Sequence, residues 1–163
     1  MKKILLCGVL SLVLVFTLTG CDMINGVKNK LSGEKSYYCK TTSSTSSLKQ
    51  TKEGIVITKD DKAIRYEIIA HLEYQEEKPY QDMCKKYKET VDKLPESKNK
   101  YELKCNDSKK TIDVKEIYML ETIDSNGKSL ISTLYTYIDK DGKFDNDGWI
   151  SYGKKNGYTC GEK

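Results

Sequence analysis

The chain reads as an α+β domain: a mostly antiparallel sheet of hairpins, with one main helix across a face and a short C-terminal helix. Three observations predict it. The segment "AIRYEIIAHLEY" alternates, with Ile64, Tyr66, Ile68, Ala70, Leu72 and Tyr74 facing one way and Arg65, Glu67, Ile69, His71 and Glu73 the other, as in a one-sided antiparallel sheet. The only two prolines, Pro79 and Pro95, bracket a stripe of helical period. The strand-like segments come in pairs around short polar turns.

Taken in order, "SYYCKTTSSTSSLK" from Ser36 is rich in Tyr and Thr and reads as an exposed strand with its Ser-rich turn. "EGIVITK" and the alternating strand flank "DDK", a hairpin signal. In "PYQDMCKKYKETVDKLP", Tyr80, Met83, Cys84, Tyr87, Val91 and Leu94 form one apolar stripe, with Pro79 suited to the first helical position and Pro95 to the stop. "YELKC" and "TIDVKEIYMLETI" form a second hairpin around "NDSKK". Apolar parity shifts between Val114 and Ile117, which predicts a bulge near Lys115 or Glu116. "DSNGKS" is a turn signal. "SLISTLYTYID" fits either period, and its Thr, Ile and Tyr content favours a strand. "DGWISYGKKNG" reads as a short final helix that begins after Asp147, carries Lys154 and Lys155 late, and stops at Gly157.

The amino end has a different logic. Lys2 and Lys3 precede an apolar run from Ile4 to Thr17, too short to span a bilayer and typical of a signal peptide. Leu18-Thr19-Gly20-Cys21 resembles the lipobox of bacterial lipoproteins, whose signal is cut before the cysteine and whose thiol carries a diacylglyceryl group. The division that follows is 1–20 as cleaved signal, 21–35 as lipidated N-terminus and tether, and 36–163 as a single disulfide-braced domain. Two or more acyl chains hold a protein stably on a bilayer, where one binds marginally. A flexible tether of this length reaches about 20 Å.

Six cysteines sharpen this picture. Cys7 leaves with the leader and Cys21 is assigned to lipid. Cys39, Cys84, Cys105 and Cys160 remain, an even set that reads as disulfides with three connectivities open. Cys84 faces inward on the helical stripe, and Cys105 shares a strand face with Tyr101 and Leu103. If that face packs under the helix, Cys84 meets Cys105, and Cys39 is left with Cys160. Without a CxxC and with one histidine, neither a zinc site nor a redox motif has support.

The lipobox, "YYCK" around Cys39, the order hairpin–helix–hairpin and the closing "NGYTC" at 156–160 together resemble the YehR-like group of small bacterial lipoproteins. That resemblance implies an extracytoplasmic lipoprotein with no assigned activity. It implies independently a bond between the first-strand and terminal cysteines, Cys39 and Cys160, with Cys84 and Cys105 as an additional pair.

Candidate chemistry is sparse. His71 lies on the polar face of its strand near Glu67 and Glu73, with no nucleophile placed beside it by sequence. Asp139, Asp141, Asp145 and Asp147 are weak calcium candidates, but neither EF-hand register of "DKDGKFDNDGW" fits, and Asp/Gly turns with a helix cap explain them as well. Of twelve tyrosines, Tyr66, Tyr74, Tyr80, Tyr87 and Tyr101 fall on core faces, which leaves Tyr37, Tyr38, Tyr135 and Tyr152 for a binding surface. The 28 basic and 24 acidic residues are interspersed and carry no nucleic-acid footprint. The expectation is therefore a lipid-anchored module on the outer side of the cell membrane. It is not expected to be an enzyme and needs no cofactor, and its partners are the bilayer and an envelope protein or glycan. The competing readings are a cell-envelope enzyme acting on wall or glycan, and a structural envelope protein.

Overall fold

The computed structural model of the protein describes residues 33–92 and 100–163. Among them no helix is long and apolar enough to cross a membrane. The signal, the lipobox, the tether up to residue 32, Leu94 and Pro95 lie outside the described residues.

Six strands form one antiparallel sheet: β1 (Glu34–Ser44), β2 (Leu48–Lys59), β3 (Lys62–Tyr74), β4 (Lys100–Asn106), β5 (Thr111–Met119) and β6 (Thr159–Glu162). Their spatial order is β4-β5-β3-β2-β1-β6. The register aligns one face from edge to edge, from Tyr101, Leu103 and Cys105 through Ile112, Val114 and Tyr118, then Tyr66 to Tyr74, Val56, Tyr37 and Cys39, to Cys160. Helices cover this face. The opposite face carries Arg65, Glu67, His71, Asp113 and Lys115.

Helix α1 (Glu77–Val91) buries Tyr80, Cys84 and Tyr87 against β3, β4 and β5. Pro79 occupies its third position rather than its first. The cost is nil there, because the first four N–H groups of a helix have no intrahelical acceptor. With Ala70, Leu72, Tyr74, Ile112 and Val114 these residues make one apolar cluster.

The C-terminal third builds a second cluster from short pieces: α2 (Ser125–Leu130), α3 (Ser132–Tyr135) and α4 (Asn146–Lys155). Ile123, Ile131, Leu134, Phe144 and Trp149 pack on Tyr37, Val56 and Tyr118. Two expectations are corrected here. "DSNGKS" is not a turn but opens α2, whose N-cap Asp124 accepts the Gly127 N–H at 2.7 Å. "SLISTLYTYID" is not a strand but ends α2 and forms α3, and its helical apolar set, Ile131 and Leu134, is buried.

Two more corrections concern the strands. β5 pairs without interruption on both sides, so there is no bulge at Lys115 or Glu116. Its alternation is regular because the inward position between Val114 and Tyr118 is filled by a carboxylate, Glu116, 7% exposed. The bulge lies in β3 instead. Ile57 pairs with Arg65 and Thr58 with Ala63, which skips Ile64 and turns Ala63 into the core in its place. The adjoining β2–β3 turn holds Asp60 and Asp61 at φ 51° and 62°, the left-handed pair that a tight two-residue hairpin requires.

Disulfides join Cys84 to Cys105, between α1 and β4, and Cys39 to Cys160, between β1 and β6. The second bond needs a glycine above it. A Cβ on Gly153 of α4 would stand 2.3 Å from Cys160 Sγ and 2.5 Å from Cys39 Sγ, closer than any real contact.

Candidate functional site

The aspartates of the 138–147 loop serve the backbone. Asp139 Oδ1 accepts the N–H groups of Asp141 (2.8 Å) and Lys143 (2.9 Å), an Asx turn. Asp145 Oδ1 accepts the Gly148 N–H at 2.9 Å and caps α4. Asp147 stands in the first turn of that helix, and Asp141 is exposed. Among the described residues, no three of His, Cys, Asp and Glu are placed to hold a metal ion.

His71 is half-exposed on the uncovered face, with Nδ1 2.6 Å from Asp113 Oδ1 of the neighbouring strand. Sequence spacing placed it near Glu67 and Glu73, but its partner comes from β5. Glu67 instead sits between Lys115 (3.1 Å) and Arg65 (3.0 Å). The Arg65 Nε–H is not aimed at the carboxylate, so that contact is ionic rather than a hydrogen bond.

The tyrosines separate by surroundings. Tyr37 is buried against Phe144, with ring centroids 5.7 Å apart. Tyr38 lies under Lys163, whose Nζ is 5.5 Å from the ring centroid, and Tyr135 lies under Lys128 at 5.8 Å. Tyr152 is 44% exposed and leans on Tyr137 at 5.8 Å.

Two features were not foreseen. The first is a concavity of about 310 Å³ where the 138–146 loop zips onto the β2–β3 turn. Two hydrogen bonds build it, the Phe144 N–H on Asp61 O and the Ala63 N–H on Gly142 O, each 3.0 Å, which together bridge Lys62 and Lys143. Tyr37, Thr58, Asp61, Lys143, Phe144 and Asn146 line it. A carboxylate, an ammonium, an amide and two hydroxyl-bearing side chains converge on a space at the small end of ligand sites. They can hydrogen-bond a small polar molecule.

The second is the seam between the two apolar clusters. Glu116 Oε2 accepts the Tyr118 hydroxyl at 2.5 Å. Tyr101 and Tyr66 flank Tyr118, with centroids 6.4 Å away on either side. Gly54 makes room for Tyr66, since a Cβ there would stand 2.6 Å from its hydroxyl oxygen. Burial raises the Glu116 pKa, an effect the Tyr118 hydrogen bond partly offsets. The Tyr87 hydroxyl is pushed up to about 12, first by burial, then by the charges of Tyr74 and Glu116.

The fold and the two features define a small disulfide-braced α+β domain with a six-stranded antiparallel sheet. No protein-family model matches the chain, and no curated protein is detectably similar to it. A solved NMR structure of a protein from Streptococcus pneumoniae TIGR4 is similar in fold, with a TM-score of 0.50 at 14% identity over 90% of this chain and 97% of that one.

Proposed function

We propose that the protein is a membrane-anchored extracytoplasmic lipoprotein whose domain acts as a non-enzymatic binding or interaction module. One observation carries the reading. All four cysteines of the folded domain are consumed in two disulfides, and of the two left over Cys7 falls within the leader and Cys21 stands immediately after it, at the end of the lipobox. Disulfides persist in oxidising compartments outside the cytoplasm. A lipidated cysteine does not then compete with the framework for a partner. The tether between Cys21 and β1 keeps the domain near the bilayer while leaving it free to turn. The binding part of the reading rests on the polar concavity around Asp61 and Lys143, with a small polar ligand, an envelope protein or a glycan as candidate partners.

Labelling cells with radioactive palmitate tests the anchor. Label should enter the protein and vanish in Cys21→Ser, which should also leave the membrane fraction. Label that persists in Cys21→Ser would overturn the anchoring. Recovery of intact lipoprotein from its own membranes, with and without Asp61→Ala and Lys143→Ala, tests the binding role. A partner retained equally by all three proteins would move the binding site elsewhere.

A further inference from the structure

Two carboxylates are buried among the described residues, Glu67 and Glu116. Glu67 has Lys115 and Arg65, and the partly buried Glu53 has Lys163 at 2.6 Å. Glu116 is different. No basic group lies within 4 Å of it among the described residues. What faces it from each element is uncharged at neutral pH: Tyr118 beside it on β5, Tyr101 opposite on β4, Ile68 opposite and Tyr66 nearby on β3, and Tyr87 from α1. Gly54 continues the row on β2. From the C-terminal third, Asp124 acts on Tyr101 and Tyr158 on Tyr66, so the one charge added from that side is again negative. The nearest base by register is Lys52, one row along and two strands away, paired with Ala70.

An ionised carboxylate so placed lacks both solvent and a counter-ion, whereas a protonated one is neutral and keeps the hydrogen bond it accepts from Tyr118 at little cost. Its position matters as much as its surroundings. It stands where the cluster under α1 ends at Val114 and the cluster under the C-terminal helices begins at Tyr118. β3 and β5 run through both halves, and the side chains at this seam are what lies between the two apolar clusters above them.

We propose that Glu116 is a proton-operated joint: protonated, it holds the two halves of the covered face together, and ionised, it loosens the seam while both disulfides stay closed. The sign follows from the raised pKa. The stabilisation is fully present below the ordinary carboxylate range and is lost as pH rises through the folded-state value. Between those limits one proton is linked, so the closed-to-open ratio falls by up to about tenfold per pH unit. The joint does not depend on lipid anchoring or on a ligand, so its failure would leave the proposed function untouched.

The test is native-state hydrogen exchange of the full chain and of Glu116→Gln, compared at the same pH so that the intrinsic exchange rate cancels. Amides of β5 should exchange at equal rates in the two proteins at low pH. They should become progressively faster in the unsubstituted chain as pH rises, by up to about tenfold per unit. Glu67→Gln, which removes an ion-paired carboxylate, should not abolish the trend. A ratio that stays constant with pH would overturn the proposal. Should Glu116→Gln fail to fold, ¹³C titration of the Glu116 carboxyl in the unsubstituted chain decides the matter: a midpoint at or below the ordinary carboxylate range would overturn it.

Discussion

The two ends of the covered face solve one problem by different means. At the α1 end a single regular helix lays Tyr80, Cys84 and Tyr87 on β3 to β5, and its disulfide closes a separation of 21 residues. At the other end three short helices and a loop assemble a core around Trp149, Phe144 and Leu134, and its disulfide closes a separation of 121. A long amphipathic helix brings its own face to the sheet ready-made. Short helices gain little from propagation and hold their shape only where tertiary contacts fix them. The second end therefore leans harder on its covalent bond.

Substitutions can break this comparison. Replacing Cys39 and Cys160 together by alanine should cost most, about 5 kcal/mol in the chain-entropy model, read from urea midpoints. Replacing Cys84 and Cys105 together should cost about 3 kcal/mol. A reversed order would mean that α1, not the C-terminal third, is the end that needs fastening. Tyr80→Phe keeps a fully buried ring and deletes only the hydroxyl that donates to Asp107 at 2.5 Å, so the same assay should register a loss of about 2 kcal/mol. The smallest effect has the opposite sign. Asp61→Gly relieves a left-handed residue and should raise the thermal midpoint by the equivalent of about 1 kcal/mol. It should at the same time weaken any ligand held in the adjoining concavity.

The α1 end was also the readable one. The stripe from Tyr80 to Tyr87 and the parity of Tyr101, Leu103 and Cys105 both follow from fixed periods, so the meeting of Cys84 with Cys105 was legible. The C-terminal end defeated the same reasoning for physical reasons. Asp124 as an N-cap and Asp as a turn opener use the same side-chain-to-backbone hydrogen bond, so "DSNGKS" carried both messages. Helices as short as α2 and α3 are too brief for a period to declare itself. Glu116 was misread because a carboxylate at an inward position breaks apolar alternation just as a bulge would. Only the unbroken pairing of β5 separates the two. The true bulge at Ile64 hid behind an isoleucine that looked inward-facing. The concavity depends on Lys62 meeting Lys143 across the fold, which no local pattern announces.

The bond between Cys39 and Cys160 has a mechanical side. Of the described residues, only 33–38 and 161–163 lie outside the loop it closes. A pull between residue 33 and the carboxyl end would peel residues 34–38 from β2 and β6 and then run through one sulfur–sulfur bridge, leaving the rest of the sheet and the helices unloaded. In single-molecule extension the oxidised domain should yield almost no length. After reduction it should release about 400 Å of chain, which would make the bridge the force-bearing member between the two ends of the domain.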